Sequence, residues 1–192
     1  MNLRRTASVL GAVLAIGISA LGTWAPPAQA ATPAVTAADT PQPTPGVFYE
    51  IFNAFSPFAP ACVDVPGGST RPGANLIAFR CHSGSNQLWQ FIRQPSGFYE
   101  IANQHSQQCF ELPNSSGADG TPVEQAGCFD FTSEEWEARF VFFKTIPVYQ
   151  FVNQAFPWLC LALGNGGSAV NGTPIVISLC DSGNPAELWS LG

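Results

Sequence analysis

One short stretch of this sequence returns twice at a spacing of 50 residues. Phe48-Tyr49-Glu50-Ile51-Phe52-Asn53 recurs as Phe98-Tyr99-Glu100-Ile101-Ala102-Asn103 and, more loosely, as Val148-Tyr149-Gln150-Phe151-Val152-Asn153. Behind each copy stands a cysteine (Cys62, Cys109, Cys160), followed after 19, 19 and 20 residues by a second (Cys81, Cys128, Cys180). A tryptophan comes 8, 8 and 9 residues later (Trp89, Trp136, Trp189). Landmarks held in register three times mark an internal duplication, and such a chain folds as a stack or ring of its units. The repeats run over about 47–96, 97–146 and 147–192.

Each unit reads as strands. Tyr49, Ile51 and Asn53 alternate with Phe48, Glu50 and Phe52, and the short apolar runs Leu76 to Phe79 and Leu88 to Ile92 are bounded by Gly, Pro, Ser and Asn. The 18 Gly and 17 Pro favour many turns, and no segment carries a helical period. About four strands per unit present one apolar face that a unit cannot cover alone, so three units are expected to close around a shared core with pseudo-threefold symmetry. Six cysteines allow fifteen pairings. A repeat duplicated with its own pair argues for Cys62 with Cys81, Cys109 with Cys128 and Cys160 with Cys180.

The flanking sequence has a different character. Arg4 and Arg5 precede the apolar run from Ala7 to Leu21, and Ala28-Gln29-Ala30 offers a small-x-small cleavage pattern, so residues 1–30 read as a secretory signal peptide and the chain as exported. The run is shorter than the roughly 20 residues a membrane span needs. Residues 31–46, rich in Pro, Thr and Ala, read as a semi-extended linker with nothing to bury, and the folded domain is expected at 47–192. Removing Arg4 and Arg5 from 7 basic residues leaves 5 against 13 acidic, a net charge of −8. That sign is wrong for a partner of nucleic acid or anionic lipid. All six cysteines lie beyond the leader, where an oxidising compartment favours disulfides over metal ligation.

Cys62-Val63-Asp64-Val65, the 19-residue step to Cys81 and the closing Asn86-Gln87-Leu88-Trp89-Gln90-Phe91 together resemble the ricin B-type lectin family. The resemblance implies an all-β fold, a β-trefoil of three repeats that each end in a Gln-x-Trp motif, and it covers nearly all of Val47 to Gly192. On this reading Trp89, Trp136 and Trp189 are core residues. The family's function implies a secreted, non-catalytic carbohydrate-binding protein that needs no cofactor. Its sugar acceptor, stacking platform, second hydrogen-bonding group and supporting amide fall on Asp64, Phe79, Asn86 and Gln87.

The chemistry of that set suits a neutral, galactose-like saccharide. Vicinal hydroxyls ask for a carboxylate acceptor and an amide that both donates and accepts, and the C–H face of the ring asks for an aromatic plane. Unit two carries Glu111, Ala126, Ser133 and Glu134 at these positions, and unit three Ala162, Ser178, Ala186 and Glu187. Both are expected to be scaffold without a sugar cleft.

Catalysis finds no motif. His82 and His105 stand outside any nucleophile elbow or zinc spacing, and Glu134-Glu135-Trp136-Glu137 reads as a solvated turn rather than a carboxylate pair. The uncharged aromatic loops holding Phe55, Phe58, Phe156 and Trp158 support an alternative: a protein-interaction module or inhibitor with a vestigial sugar site, should those side chains be exposed.

Overall fold

The computed structural model describes residues 40–55 and 60–192. The expected signal peptide and most of the expected linker therefore lie outside the described residues, as does Phe58. Unit one contributes β1 (Phe48–Asn53), β2 (Ala61–Asp64), β3 (Ala74–Asn75), β4 (Ile77–Arg80) and β5 (Leu88–Arg93). Unit two contributes β6 (Tyr99–Asn103), β7 (Cys109–Glu111), β8 (Glu124–Ala126) and β9 (Glu135–Phe143), and unit three β10 (Ile146–Asn153), β11 (Leu159–Leu163), β12 (Thr173–Leu179) and β13 (Trp189–Leu191). Four strands per unit is the expected pattern, and β3 and β4 are one strand of that pattern interrupted at Leu76. Helical pieces among the described residues are single turns.

Six strands form a closed ring: β1 pairs β5, β5 pairs β6, β6 pairs β9, β9 pairs β10, β10 pairs β13, and β13 returns to β1. Closure leaves this barrel without an edge. The other strands make three hairpins, β2 with β4, β7 with β8 and β11 with β12, that cap one end of the barrel. The hairpins meet in a cycle of backbone bonds: the Leu76 amide donates to the Val123 carbonyl (2.8 Å), Val123 to Ile175 (2.9 Å), and Ile175 back to Leu76 (2.9 Å). Their three side chains are fully buried. The threefold symmetry seen in the sequence is thus closed by one identical contact per unit.

Each repeated residue type has one job, done three times. Trp89, Trp136 and Trp189 are fully buried, and their indole N–H groups donate to the carbonyls of Val63, Phe110 and Leu161. The motif asparagines latch neighbouring units: Asn53 donates to the Leu188 carbonyl, Asn103 to that of Leu88 and Asn153 to that of Ser133. Disulfides join Cys62 to Cys81, Cys109 to Cys128 and Cys160 to Cys180, the pairing the repeat argues for. Each closes a loop of 19 or 20 residues, worth about 3 kcal/mol in the chain-entropy model.

Two expectations are corrected here. Glu134 and Glu135 are buried, so the acidic cluster before and around Trp136 is no solvated turn. Glu134 accepts from the Phe129 amide (2.7 Å) and Glu135 from the Ser96 hydroxyl (2.7 Å), which ties the loop after Cys128 and the β5–β6 turn to the barrel. The end of the linker also has something to bury, because Pro43 is buried against the domain.

Candidate functional site

Three elements deliver the unit-one residues to one place. Asp64 ends β2, Phe79 lies on β4, and Asn86 and Gln87 sit in the single turn Ser85–Gln87 that leads into β5. The ladder pairs Cys62 with Phe79 and Asp64 with Ile77, and the Cys62–Cys81 bridge holds the hairpin closed at its far end. Between β2 and β3 the chain turns at Gly67 and Gly68, whose φ angles of 60° and 63° fall where side chains are disfavoured. This turn, Pro66–Gly68, lines a cleft of about 430 Å³ together with Asp64, Ile77, Phe79, His82 and Asn86.

The carboxylate of Asp64 is the polar centre. Its Oδ2 accepts from Gln87 Nε2 at 2.7 Å and Asn86 Nδ2 at 3.0 Å, and His82 Nε2 stands 3.4 Å away. These donors converge on one oxygen. Among the described residues no hydrogen bond reaches Oδ1, which leaves it able to accept from a ligand. His82 Nδ1 accepts the Gly84 amide at 3.1 Å, which puts the proton of a neutral ring on Nε2, facing Asp64. Gln87 is fully buried and lies behind the cleft, also accepting from the His82 amide and donating to the Arg80 carbonyl. It orients Asp64 rather than facing the cleft. His82, set aside in the sequence as standing outside any nucleophile elbow or zinc spacing, is the group that sequence reasoning missed. Only its place directly after Cys81 could have signalled it.

Burial raises the Asp64 carboxyl above its ordinary 3.8, with the Gln87, His82 and Asn86 contacts pulling the other way. Burial likewise raises Glu100, Glu111, Glu124, Glu134 and Glu187 above 4.5. In Glu134 the cause is plain, since its Oε1 is buried with no hydrogen-bond partner among the described residues. A raised carboxyl value means that the folded chain holds its protons more tightly than the unfolded one. Between the ordinary and the raised values, stability therefore falls as pH rises. The thermal midpoint is expected to rise as pH is lowered from neutrality towards the ordinary carboxylate range. Melts followed by circular dichroism check this, and a midpoint that only falls on mild acidification contradicts it.

Units two and three are built differently. Glu111 is half-buried and raised by its acidic neighbours as well as by burial, Ala126 offers no ring, and the loop after Cys128 exposes Phe129 and Phe131 with ring centroids 6.0 Å apart. Phe129 occupies the position of His82. Unit three also has a cleft, of about 490 Å³ against about 430 Å³ in unit one. Ala162, Ser178 and Ala186 line it where unit one has its carboxylate, ring and amide, and Asp119, Asn165 and Asn184 reach it from other positions. Of the aromatic loop residues, Phe55 packs edge-on against Phe143 at 4.6 Å, and Phe156 packs on the core and covers Gly117. Trp158 is 56% exposed.

Residues 38–126 match the family model described as a ricin-type beta-trefoil lectin domain-like family. No curated protein matches the chain. Among solved structures, the designed threefold-symmetric protein ThreeFoil is similar at 24% identity with a TM-score of 0.65, covering 75% of this chain and 96% of that one. The ricin B-like lectin of Macrolepiota procera, solved with lactose, is similar at 20% identity and a TM-score of 0.62, covering 79% and 98%. An exo-beta-1,3-galactanase from Clostridium thermocellum is similar at 18% identity and a TM-score of 0.65, but this chain covers only 31% of its length. These likenesses are to the fold. Together with the closed barrel, the three capping hairpins and the symmetric tryptophans, they make this chain's domain a β-trefoil, of which residues 38–126 are similar to the ricin-type beta-trefoil lectin domain-like family.

Proposed function

We propose that this domain binds a neutral, galactose-like saccharide through the unit-one cleft, without catalysing any change in it, and that the protein is exported. The observation that carries this reading is the set of contacts on Asp64: three protein groups meet on Oδ2, and Phe79 lines the same cleft. A turn that merely caps itself has no use for that ring. The lactose complex of the Macrolepiota procera lectin supports the substrate class. Three disulfides support export, since such bonds persist in oxidising compartments. The larger enzyme among the similar structures shows that such a fold can form part of a longer chain, and attachment or avidity would offset the modest affinity of one shallow site.

The protein-contact alternative is weakened by the packing of Phe55 and Phe156, which leaves Trp158 as the exposed member of its aromatic set among the described residues. A glycan array followed by titration calorimetry tests the proposal. Phe79→Ala is expected to weaken binding several-fold, because an aromatic contact is worth about 0.5–1.5 kcal/mol beyond the area it buries. Glu111→Ala is expected to leave binding unchanged. Equal loss from both substitutions, or no binding to any saccharide by the intact protein, would refute the unit-one site.

A further inference from the structure

The barrel end away from the hairpin cap is lined by the three repeated tyrosines. Tyr49, Tyr99 and Tyr149 stand opposite Trp89, Trp136 and Trp189 in the ladders, one per unit. They lie close enough together that Tyr49 and Tyr99 oppose ionisation of Tyr149, a second cause after burial of its raised value. The segment Pro41-Gln42-Pro43-Thr44 is hydrogen-bonded to two of them and lines a cleft with the third. The Thr44 amide donates to Tyr49 Oη (3.1 Å), Tyr99 Oη donates to Gln42 Oε1 (3.4 Å), and Pro41 lines a cleft of about 480 Å³ together with Tyr149, Phe140, Phe142, Pro147 and Leu191. Pro43, between these contacts, is buried.

The surroundings are shaped for this contact. The β5–β6 ladder ends at Arg93 and Tyr99, but the equivalent β9–β10 ladder continues past Phe140 and Tyr149 for three more rungs, Val141 with Val148, Phe142 with Pro147 and Phe143 with Ile146. Every residue in those rungs is apolar. They raise a wall beside the barrel end that the β5–β6 hairpin lacks. Arg93 donates to Tyr99 Oη (3.0 Å), fixing that phenol so that its own proton points to Gln42.

We propose that this tyrosine-lined end is a recognition surface for a proline-rich segment, and that its occupant is the chain's own residues 40–45. Prolines are suited to it because their restricted backbone lowers the entropy lost on docking and their rings pack on aromatic faces. The domain then begins at Thr40, and the strap holds the chain at the end of the barrel away from the hairpins that form the unit-one cleft.

The test uses the full chain carrying Gln42→Ala and Pro43→Ser, with the tyrosine ring signals followed by NMR. The ring signals of all three tyrosines are expected to shift, and the thermal midpoint to fall by a few degrees. Added Thr-Pro-Gln-Pro-Thr-Pro peptide at millimolar concentration is expected to return the signals towards their wild-type positions, while the unsubstituted chain, its surface occupied, does not respond. Tyr49→Phe in the same background leaves the ring in place and should weaken the peptide response several-fold. Ring signals unmoved by the strap substitutions, or a strap variant that ignores the peptide, would overturn the proposal. A dimer seen by light scattering that is lost on substituting the strap would overturn the in-chain assignment, placing the strap on a second copy.

Discussion

Replacing Trp89 by alanine is expected to cost about 3–5 kcal/mol of folding free energy for the lost side chain and the cavity left behind. Trp89 is fully buried, meets the Phe110 ring at 4.5 Å, and donates to the Val63 carbonyl at 3.0 Å. Removing the indole strands that carbonyl as well, a further cost of about 1–3 kcal/mol if water does not reach it. Against the total of about 5–15 kcal/mol typical of a domain, this brings the protein close to unfolding at ambient temperature. Trp89→Phe separates the two costs, because it keeps most of the apolar volume and gives up the donor. Denaturant unfolding with disulfides intact measures both. A loss below about 1 kcal/mol for Trp89→Ala would show that the tryptophans are not the structural core of the repeats.

The tryptophans and cysteines were legible in the sequence because the indole N–H bond and the disulfide of each unit lie within its own repeat. The carbonyl that accepts from each indole and the partner of each bridged cysteine are local, and duplication copies those partners along with the residue. The motif asparagines were equally visible as a pattern but not as a function. Asn53 bonds Leu188, 135 positions away in sequence, and no local signal reveals a latch between units. The burial of Glu134 and Glu135 was misread for a related reason. A run of carboxylates looks solvated unless one knows that backbone amides and a hydroxyl are turned towards it.

The site was legible in its residue types and less so in its layout. Asp64, Phe79 and Asn86 do line one cleft, but Gln87 lies behind it, and His82 takes a place on its rim. His82 reaches Asp64 only because the loop after Cys81 folds back, held by the Gln87 side chain and by the Glu50 carboxylate on the Ser83 amide. Units two and three lack the unit-one arrangement for different reasons. One has phenylalanines on the returning loop and the other has small residues at the site positions, and only the second leaves a cavity that a sequence comparison of site positions overlooks. The docking of Pro43 was invisible for a different reason: low-complexity composition says what a segment cannot fold into alone, not what a finished barrel end can hold.

Asp64→Asn is expected to weaken saccharide binding by at least tenfold while leaving the fold as stable as before or more so. The substitution keeps the shape of the side chain and can keep the acceptor that Gln87 and Asn86 use, but it turns the second oxygen, the one left for ligand, into an N–H₂ donor. A hydroxyl that donated to a carboxylate loses a charge-assisted bond worth about 1.5–3 kcal/mol, which corresponds to roughly a tenfold to hundredfold change in affinity. Stability moves the other way because burial already disfavours the ionised carboxylate, as its raised pKa records, and the neutral amide escapes that penalty. Asn86 and Gln87 each keep a second acceptor, the Val65 and Arg80 carbonyls, so the cleft walls stay in place. The variant should also lose the acid dependence of binding that comes from Asp64. In the wild type, lowering pH through the raised carboxyl value is expected to protonate the acceptor and release the sugar, beginning at a higher pH than an ordinary aspartate would allow. Calorimetric titration across pH, paired with thermal melts of the same samples, checks the three outcomes together. Binding retained in Asp64→Asn, or binding and stability lost in parallel, would mean that the carboxylate serves the fold and not the ligand.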